Sequence, residues 1–277
     1  MVASSRLAKW GLRLSPLWAS VATVCAAQAP VPEPATDLET EIGQSVYEEL
    51  RDGGEIVDYS PLYDSIKSVT EAVSWAAQPH YPHPFKFILL HEAQPNAFSV
   101  PGGNVYITDS LLYFVKNTEQ LAGTLCHETS HTIHRDAIAR MKEQEKVKLR
   151  EIGAVILLGP TLAQAIAIRM IGDLHSLAYS RDIESSADIT GADICATAGY
   201  NPWGLVWLFE EFRNADKNQV PALLSDHPAN GTRISTLKKH FRDNPSTFSR
   251  FDPSEQSSTA LTVPKNAPEQ FLKPSEG

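Results

Sequence analysis

The period of hydrophobic and polar positions changes several times along the first part of the chain. Apolar residues recur every three or four positions in 37–50 and in 60–77, and both segments begin with polar residues, which is typical of amphipathic helices. Short apolar runs that predict strands follow at 85–92, 97–100 and 104–109. The sequence PGG between the last two runs predicts a tight turn.

The second half of the chain is predicted to be mostly helical. Asn117 opens a helix, because Gln120 stands three positions later and the pair fits a capping box. A second long helix is predicted to end at Gly199, and a third to begin near Pro202. A loop and a further helix are predicted in 227–241. The pattern therefore predicts an α+β fold that is mostly helical, with a small β-sheet beside the helix that begins at Asn117.

An uncharged apolar run extends from Ile152 to Ile168 and is borderline in length for a membrane span. Gly159 and Pro160 lie inside the run, and Pro breaks or kinks a helix. We therefore interpret the run as a bent helix of the core.

The N-terminus has the layout of a secretory signal. It carries Arg6, Lys9 and Arg13 with no acidic residue, then an apolar stretch, then small residues around an A-x-A site at 27–29. This predicts an exported protein, periplasmic or secreted. The alternative is a retained anchor that keeps the chain associated with a membrane, although the apolar stretch is shorter than a full span.

Composition then divides the chain into four predicted segments. A Pro-rich linker follows the signal, and Pro, Ser, Glu and Gln dominate the C-terminal end. The predicted segments are a signal peptide at 1–27, a linker at 28–36, a catalytic domain at 37–245 and a disordered tail at 246–277.

Composition and charge exclude some partners. The chain has 277 residues and a net charge of −9, so it is a poor candidate for binding nucleic acid or anionic lipid. Only Cys126 and Cys195 remain after removal of a signal peptide, which is too few for a disulfide framework. They are interpreted as two buried small side chains that could pair in an oxidising compartment.

The segment LAGTLCHETSHTIHRD at 121–136 carries the clearest chemistry. Residues four apart project from one face of a helix, so His127 and His131 can bind one zinc ion. Glu128 lies one position round the helix, where its carboxylate can reach a water molecule without coordinating the metal.

A catalytic zinc site needs a third protein ligand. Metzincins place a histidine ten residues after the first, where this chain has Ala137. A carboxylate from a second helix is the alternative: Glu184 can bind the metal while Asp188, one turn later, accepts a proton from a bound imidazole. The competing interpretation is that both acids lie on a solvated helix face.

Four segments in this order resemble motifs of metallopeptidase family 48, the gluzincin-type zinc endopeptidases related to HtpX and to the CaaX prenyl protease. They are NAFSVPGGNVYITDSLL at 96–112, HETSH at 127–131, SRDIESSAD at 180–188 and DHPANGTRI at 226–234. The resemblance implies a gluzincin-type zinc metalloprotease domain that binds one zinc ion per chain.

The resemblance also assigns roles to individual residues. It implies that His127, His131 and Glu184 bind the zinc. It further implies that Glu128 catalyses the reaction and that Asp188 orients a ligand from outside the coordination shell. A single span at 152–168 would place His131 and Glu184 on opposite sides of a bilayer, so no transmembrane span is expected in the mature chain.

Two further assignments concern catalysis and substrate. His227 is the candidate for stabilising the oxyanion, with Arg233 as a second candidate. The alternatives are that His227 occupies the open zinc position and closes the site, or that it only orders its loop. The strand containing Asn104, Val105, Tyr106 and Ile107 is predicted to pair with an extended substrate.

The expected function is a zinc-dependent endopeptidase that hydrolyses unfolded or misfolded proteins of the cell envelope. Backbone pairing with a strand reads few side chains, which predicts broad specificity for polypeptide segments. One alternative is an inactive zinc-binding holdase with the same fold, and another is a structural zinc domain. Neither requires Glu128 beside the metal ligands.

Overall fold

The computed structural model describes residues 37–141, 164, 166–167, 179–214, 223, 227 and 231–265. The predicted signal peptide and Pro-rich linker lie outside the described residues, as does the end of the chain from residue 266.

Two amphipathic helices open the described chain, as the sequence predicts. Helix α1 (Leu38–Asp52) begins after Asp37, whose side chain accepts a hydrogen bond from the Thr40 amide at 2.9 Å. Helix α2 (Leu62–Ala77) leads into a 3₁₀ turn at Gln78–His80.

A three-stranded sheet follows, with the order β1-β3-β2. Strand β1 (Lys86–Leu90) pairs parallel with β3 (Asn104–Thr108), and β2 (Ala97–Ser99) pairs antiparallel with β3. The tight turn before β3 is confirmed: Gly102 and Gly103 have φ values of 89° and 92°, which glycine adopts without strain.

This strand order corrects the prediction for the substrate strand. Asn104, Val105, Tyr106 and Ile107 belong to β3, which is paired on both sides and fully buried. Its backbone groups already bond to β1 and β2, so β3 offers no free edge to a substrate. Among the described strands the edges are β1 and β2.

The sheet separates two hydrophobic clusters, because successive residues of a strand point to opposite faces. On one face, Ile88 and Tyr106 pack with the α1 residues Ile42, Val46 and Leu50. On the other face, residues such as Leu89 and Ile107 pack with α2 and the helices that follow.

A short helix α3 (Asp109–Phe114) precedes the buried central helix α4 (Thr118–His134). The predicted start at Asn117 is confirmed, since its side chain accepts a hydrogen bond from the Gln120 amide at 2.9 Å. The return bond differs from a capping box: the Gln120 side chain accepts from the Lys116 amide. Helix α4 ends at Arg135, which has a left-handed φ of 58°.

Helices α5 (Arg181–Ala198) and α6 (Trp203–Asn214) pack on α4. Helix α7 (Gly231–Asp243) packs on α5 and α6. The close contact of α4 and α5 depends on Gly191, where an added Cβ would lie 3.1 Å from the Cys126 backbone and the His127 Cα. The predicted end of α5 at Gly199 is confirmed.

The apolar run at 152–168 is described only at Gln164, Ile166 and Ala167, which are helical. Ile166 and Ala167 are buried in the cluster that includes α1. Among the described residues no helix has both the length and the apolar character needed to cross a membrane.

The structure differs from the prediction of a disordered tail for residues 246–265. A short helix α8 (Pro245–Phe248) buries Phe248, and a 3₁₀ turn follows at Glu255–Ser257. The Trp207 indole donates to the Pro253 carbonyl at 2.9 Å, and the Thr118 amide donates to the Thr259 carbonyl at 2.9 Å. A polar composition predicted disorder, but a few apolar and backbone contacts fix this segment against the domain.

Candidate metal centre

Two helices and one loop bring four donor side chains together. Helix α4 presents His127 and His131, α5 presents Glu184, and His227 follows α6. One ligand atom from each of the four lies within 4.8 Å of those of the others, and all four residues are buried. The residues that motif spacing singled out for metal binding are thus adjacent in space.

The donor separations fit a tetrahedral ion. The Nε2 atoms of His127 and His131 are 3.1 Å apart, and the Glu184 carboxylate oxygens lie 3.3 Å from the first and 3.8 Å from the second. Zinc with ligands at 2.0–2.2 Å in tetrahedral geometry would separate neighbouring donors by about 3.3–3.6 Å. Two imidazoles and a carboxylate are also a common donor set of catalytic zinc sites.

His227 completes this group. Its Nδ1 atom lies 2.8 Å from Glu184 Oε1 and 3.2 Å from His127 Nε2. Its other ring nitrogen lies 3.4 Å from Glu128 Oε1. The imidazole therefore lies between the candidate metal ligands and the candidate catalytic carboxylate, in the position of a fourth donor.

Glu128 is buried beside the donor group and outside it. Its side chain is on α4 next to His127, but it is not among the four residues whose ligand atoms converge. This placement suits a carboxylate that acts on a water molecule at the site.

Each of the two α4 histidines contacts a carboxylate through its other ring nitrogen. His127 Nδ1 lies 3.0 Å from Asp188 Oδ1, as the predicted supporting role of Asp188 requires. His131 Nδ1 lies 2.8 Å from Asp136 Oδ2. Such contacts fix the tautomer and orientation of a ligating imidazole.

Sequence reasoning missed Asp136. It follows the left-handed Arg135, where the chain turns at the end of α4 and directs the carboxylate back toward His131. The available signal was an acidic residue just beyond the helix that carries both histidines.

Arg233 is buried next to the donor group and bonds to the acidic side chains around it. Its guanidinium donates to both oxygens of Asp188, at 2.7 and 2.6 Å, and lies 2.8 Å from Glu184 Oε2. It also donates to the His227 carbonyl at 3.1 Å and is 1% exposed. These bonds assign the guanidinium to holding Asp188, Glu184 and the His227 backbone, which leaves it poorly placed to bind an oxyanion.

Within the donor group the pKa of His127 is raised, whereas the pKa values of His131 and Glu184 are lowered. Burial opposes protonation of His127, but hydrogen bonds to Asp188 and Glu184 prevail and raise its pKa to about 9. Burial and the neighbouring His127 and His227 lower the pKa of His131 well below its usual value. Burial favours the neutral form of Glu184, but the charge of His227 and bonds from both histidines hold its pKa far below the usual range.

Comparison with known proteins agrees with this arrangement. Residues 63–240, well over half of the chain, match the family model of peptidase family M48. The chain belongs to this family.

Relatives in family M48 share only part of their length with this chain. The beta-barrel assembly-enhancing protease of Escherichia coli K12 is 27% identical over 165 residues, which cover 56% of this chain and 34% of that protein. The mitochondrial metalloendopeptidase OMA1 of Saccharomyces cerevisiae is 29% identical over 153 residues, covering 53% of this chain and 44% of OMA1. The chain therefore spans between a third and a half of the length of these relatives.

Tyr179 is a second residue of this M48 site that sequence reasoning missed. Its ring stacks on the His131 imidazole with centroids 4.4 Å apart and planes 17° from parallel. The ring centroid of His227 lies 5.9 Å away. Tyr179 directly precedes Ser180, the N-cap of α5, so the start of that helix also sets the position of the aromatic ring.

Proposed function

We propose that the protein is a zinc-dependent endopeptidase that hydrolyses unfolded or misfolded polypeptides of the cell envelope. The observation that carries this proposal is the buried convergence of His127, His131 and Glu184, with Glu128 beside them, in a chain of peptidase family M48. A holdase needs no such carboxylate beside the donor group.

The proposed roles follow from the positions of the side chains. His127, His131 and Glu184 would hold one zinc ion per chain, and such an ion would supply Lewis acidity next to Glu128. Glu128 takes the proton of the attacking water and passes it to the leaving amine.

A second set of side chains keeps these groups in place. Asp188 and Asp136 accept hydrogen bonds from the Nδ1–H groups of His127 and His131, so that each Nε2 presents its lone pair to the metal. Arg233 neutralises Asp188 and Glu184, which together would otherwise repel each other in a buried space.

We propose two roles for His227. Its Nδ1 atom occupies the position of a fourth donor, which favours closure of the metal site in the described state. Turnover requires that position to be open, so His227 must leave it when substrate binds. Displaced from there, an imidazole beside Glu128 is a suitable donor to the oxyanion of the tetrahedral intermediate.

The substrate is proposed to bind along β2 instead of β3. β2 is an edge of the described sheet, and it packs against α4, the helix that carries His127 and His131. An extended peptide paired with this edge would run past the metal group. Backbone pairing supports a preference for unfolded segments over particular side chains.

The envelope location rests on two observations. The N-terminal sequence has the layout of a secretory signal, and one relative is named for enhancing beta-barrel assembly. We propose that the protein is exported and periplasmic or secreted, and membrane-associated if residues 1–27 are retained.

Proteolysis of matched folded and unfolded substrates tests the function. We expect the protein to cleave a reduced, unfolded test protein and to spare its disulfide-bonded form. Chelation should stop cleavage, and zinc should restore it. Equal cleavage of both forms would refute the proposed preference, and undiminished cleavage after metal removal would refute the zinc mechanism.

Steady-state kinetics of His227→Ala on a short fluorogenic peptide separates its roles. Loss of a closing residue should raise kcat/KM and make a small zinc-binding inhibitor more potent. Loss of an oxyanion donor should instead lower kcat by roughly 100-fold with little change in KM. Unchanged kcat and KM at full zinc occupancy would contradict both roles.

A further inference from the structure

Two buried cysteines meet between the helices that carry His127, His131 and Glu184, and the proposed catalysis uses neither. Cys126 on α4 and Cys195 on α5 are 69 positions apart in the chain, yet their sulfur atoms are in direct contact at 2.6 Å. Both are described as free thiols with at most 1% exposure. A chance pair of small core residues would not require the two sulfurs to face each other.

The backbone geometry explains how the thiols meet. Gly191, one turn before Cys195, allows α5 to approach the Cys126 backbone so closely that a Cβ there would lie 3.1 Å away. A disulfide also needs two backbones at short range with converging Cβ directions. The helix contact supplies the short range, and the facing sulfurs supply the convergence.

We propose that Cys126 and Cys195 form a disulfide that covalently joins the two helices carrying the metal-binding side chains. Cys126 directly precedes His127, and Cys195 lies on α5 beyond Glu184 and Asp188. The bond therefore fixes the spacing of α4 and α5 next to the donor group.

The reaction is thiol–disulfide exchange with an organic disulfide such as oxidised glutathione or the active disulfide of an oxidase. The sulfur of one cysteine attacks the donor, forms a mixed disulfide and releases one donor thiol. The second cysteine sulfur then attacks the cysteine sulfur of the mixed disulfide and releases the other donor thiol. Two cysteine thiols are oxidised, one donor disulfide is reduced, and both protons go to the released donor thiols.

The burial of both thiols fixes the stage at which exchange takes place. Neither sulfur is accessible once α4 and α5 have packed, so the bond forms during folding or during local opening of the helix pair. Once formed, the bond is shielded from reductants by the same packing. It would therefore persist in the folded protein as a structural cross-link.

Mass mapping of the wild-type chain tests the proposal without reference to peptidase activity. Reduced, denatured full-length protein is refolded with reduced glutathione alone or with a reduced and oxidised mixture. It is then quenched in acid, denatured, alkylated and digested without reduction. We expect a linked Cys126–Cys195 peptide only in the mixture. Alkylation of both residues in both buffers, or a link from either to Cys25, would overturn the proposal.

Thermal unfolding of metal-free protein gives a second readout. The oxidised form should melt about 5–15 °C above the reduced form, as expected for a cross-link between distant positions in a domain of this size. Reductant added under unfolding conditions should remove the difference. The Cys126→Ala/Cys195→Ala variant should show no such response, and an equal response would overturn the assignment.

Discussion

Removal of the Asp136 carboxylate should weaken zinc binding while leaving the fold intact. Asp136 contacts the Nδ1 atom of His131 at 2.8 Å, whereas the Nδ1 atom of its other histidine neighbour, His134, is 3.8 Å away. Loss of such a partner typically weakens metal binding by about 10–100-fold. That range corresponds to about 1.4–2.8 kcal/mol of binding free energy.

The comparison with Asp188 shows why Asp136 is the sharper test. Asp188 is completely buried and receives two bonds from Arg233, so Asp188→Ala removes two charge-assisted bonds as well as the His127 contact. The Asp136 side chain is mostly buried but keeps some solvent exposure. This burial, together with the negative charge of the nearby Glu184, raises the pKa of Asp136 to about 6. Asp136→Ala should therefore change zinc affinity more than it changes the stability of metal-free protein.

Competition with a zinc chelator measures the affinity, and thermal unfolding of metal-free protein measures the fold. Asp193→Ala is a matched control, because Asp193 contacts His240 at 2.9 Å in an Asp–His pair outside the donor group. Asp136→Asn keeps an acceptor oxygen and should lie between wild type and Asp136→Ala. Equal zinc affinities of Asp136→Ala, Asp193→Ala and wild type would refute the role assigned to Asp136.

Two further predictions concern the tail and the pH dependence of metal binding. A chain truncated after residue 245 loses the buried Phe248 side chain and the hydrogen bonds of the tail. Its free energy of unfolding should be lower by about 3 kcal/mol or more than that of a chain truncated after residue 265. Equal urea midpoints of the two chains would contradict this. The pKa of His127 is raised to about 9, so below that pH its imidazole must lose a proton before zinc can bind. The zinc affinity should therefore rise roughly tenfold per pH unit from pH 6.5 toward pH 9. Chelator competition that gives one affinity at pH 6.5 and 8.5 would contradict it.

Local signals predicted much of the helical framework and the donor group. Asn117 and Gly199 marked the ends of helices through capping chemistry that depends on a few adjacent residues. His127 and His131 shared a helix face by spacing alone. The pairing with Glu184 needed a resemblance, because the packing of α4 on α5 is not encoded in either helix separately.

The features missed from the sequence depend on tertiary contacts. Strand β3 was predicted to pair with a substrate, but it is central because β1, which is not its neighbour along the chain, pairs parallel with it. Asp136 reaches His131 only because Arg135 adopts a left-handed backbone conformation. The tail is ordered by a few contacts, such as the burial of Phe248, that average composition does not register.

Zinc content measured beside peptide hydrolysis in Glu128→Gln tests the central claim most directly. Glu128 is assigned to the water molecule and His127, His131 and Glu184 to the metal, so this variant should keep about one zinc ion per chain and lose hydrolysis. Glu184→Ala, analysed in parallel, should lose both. Loss of zinc from Glu128→Gln, or full zinc content in Glu184→Ala, would contradict the assignment.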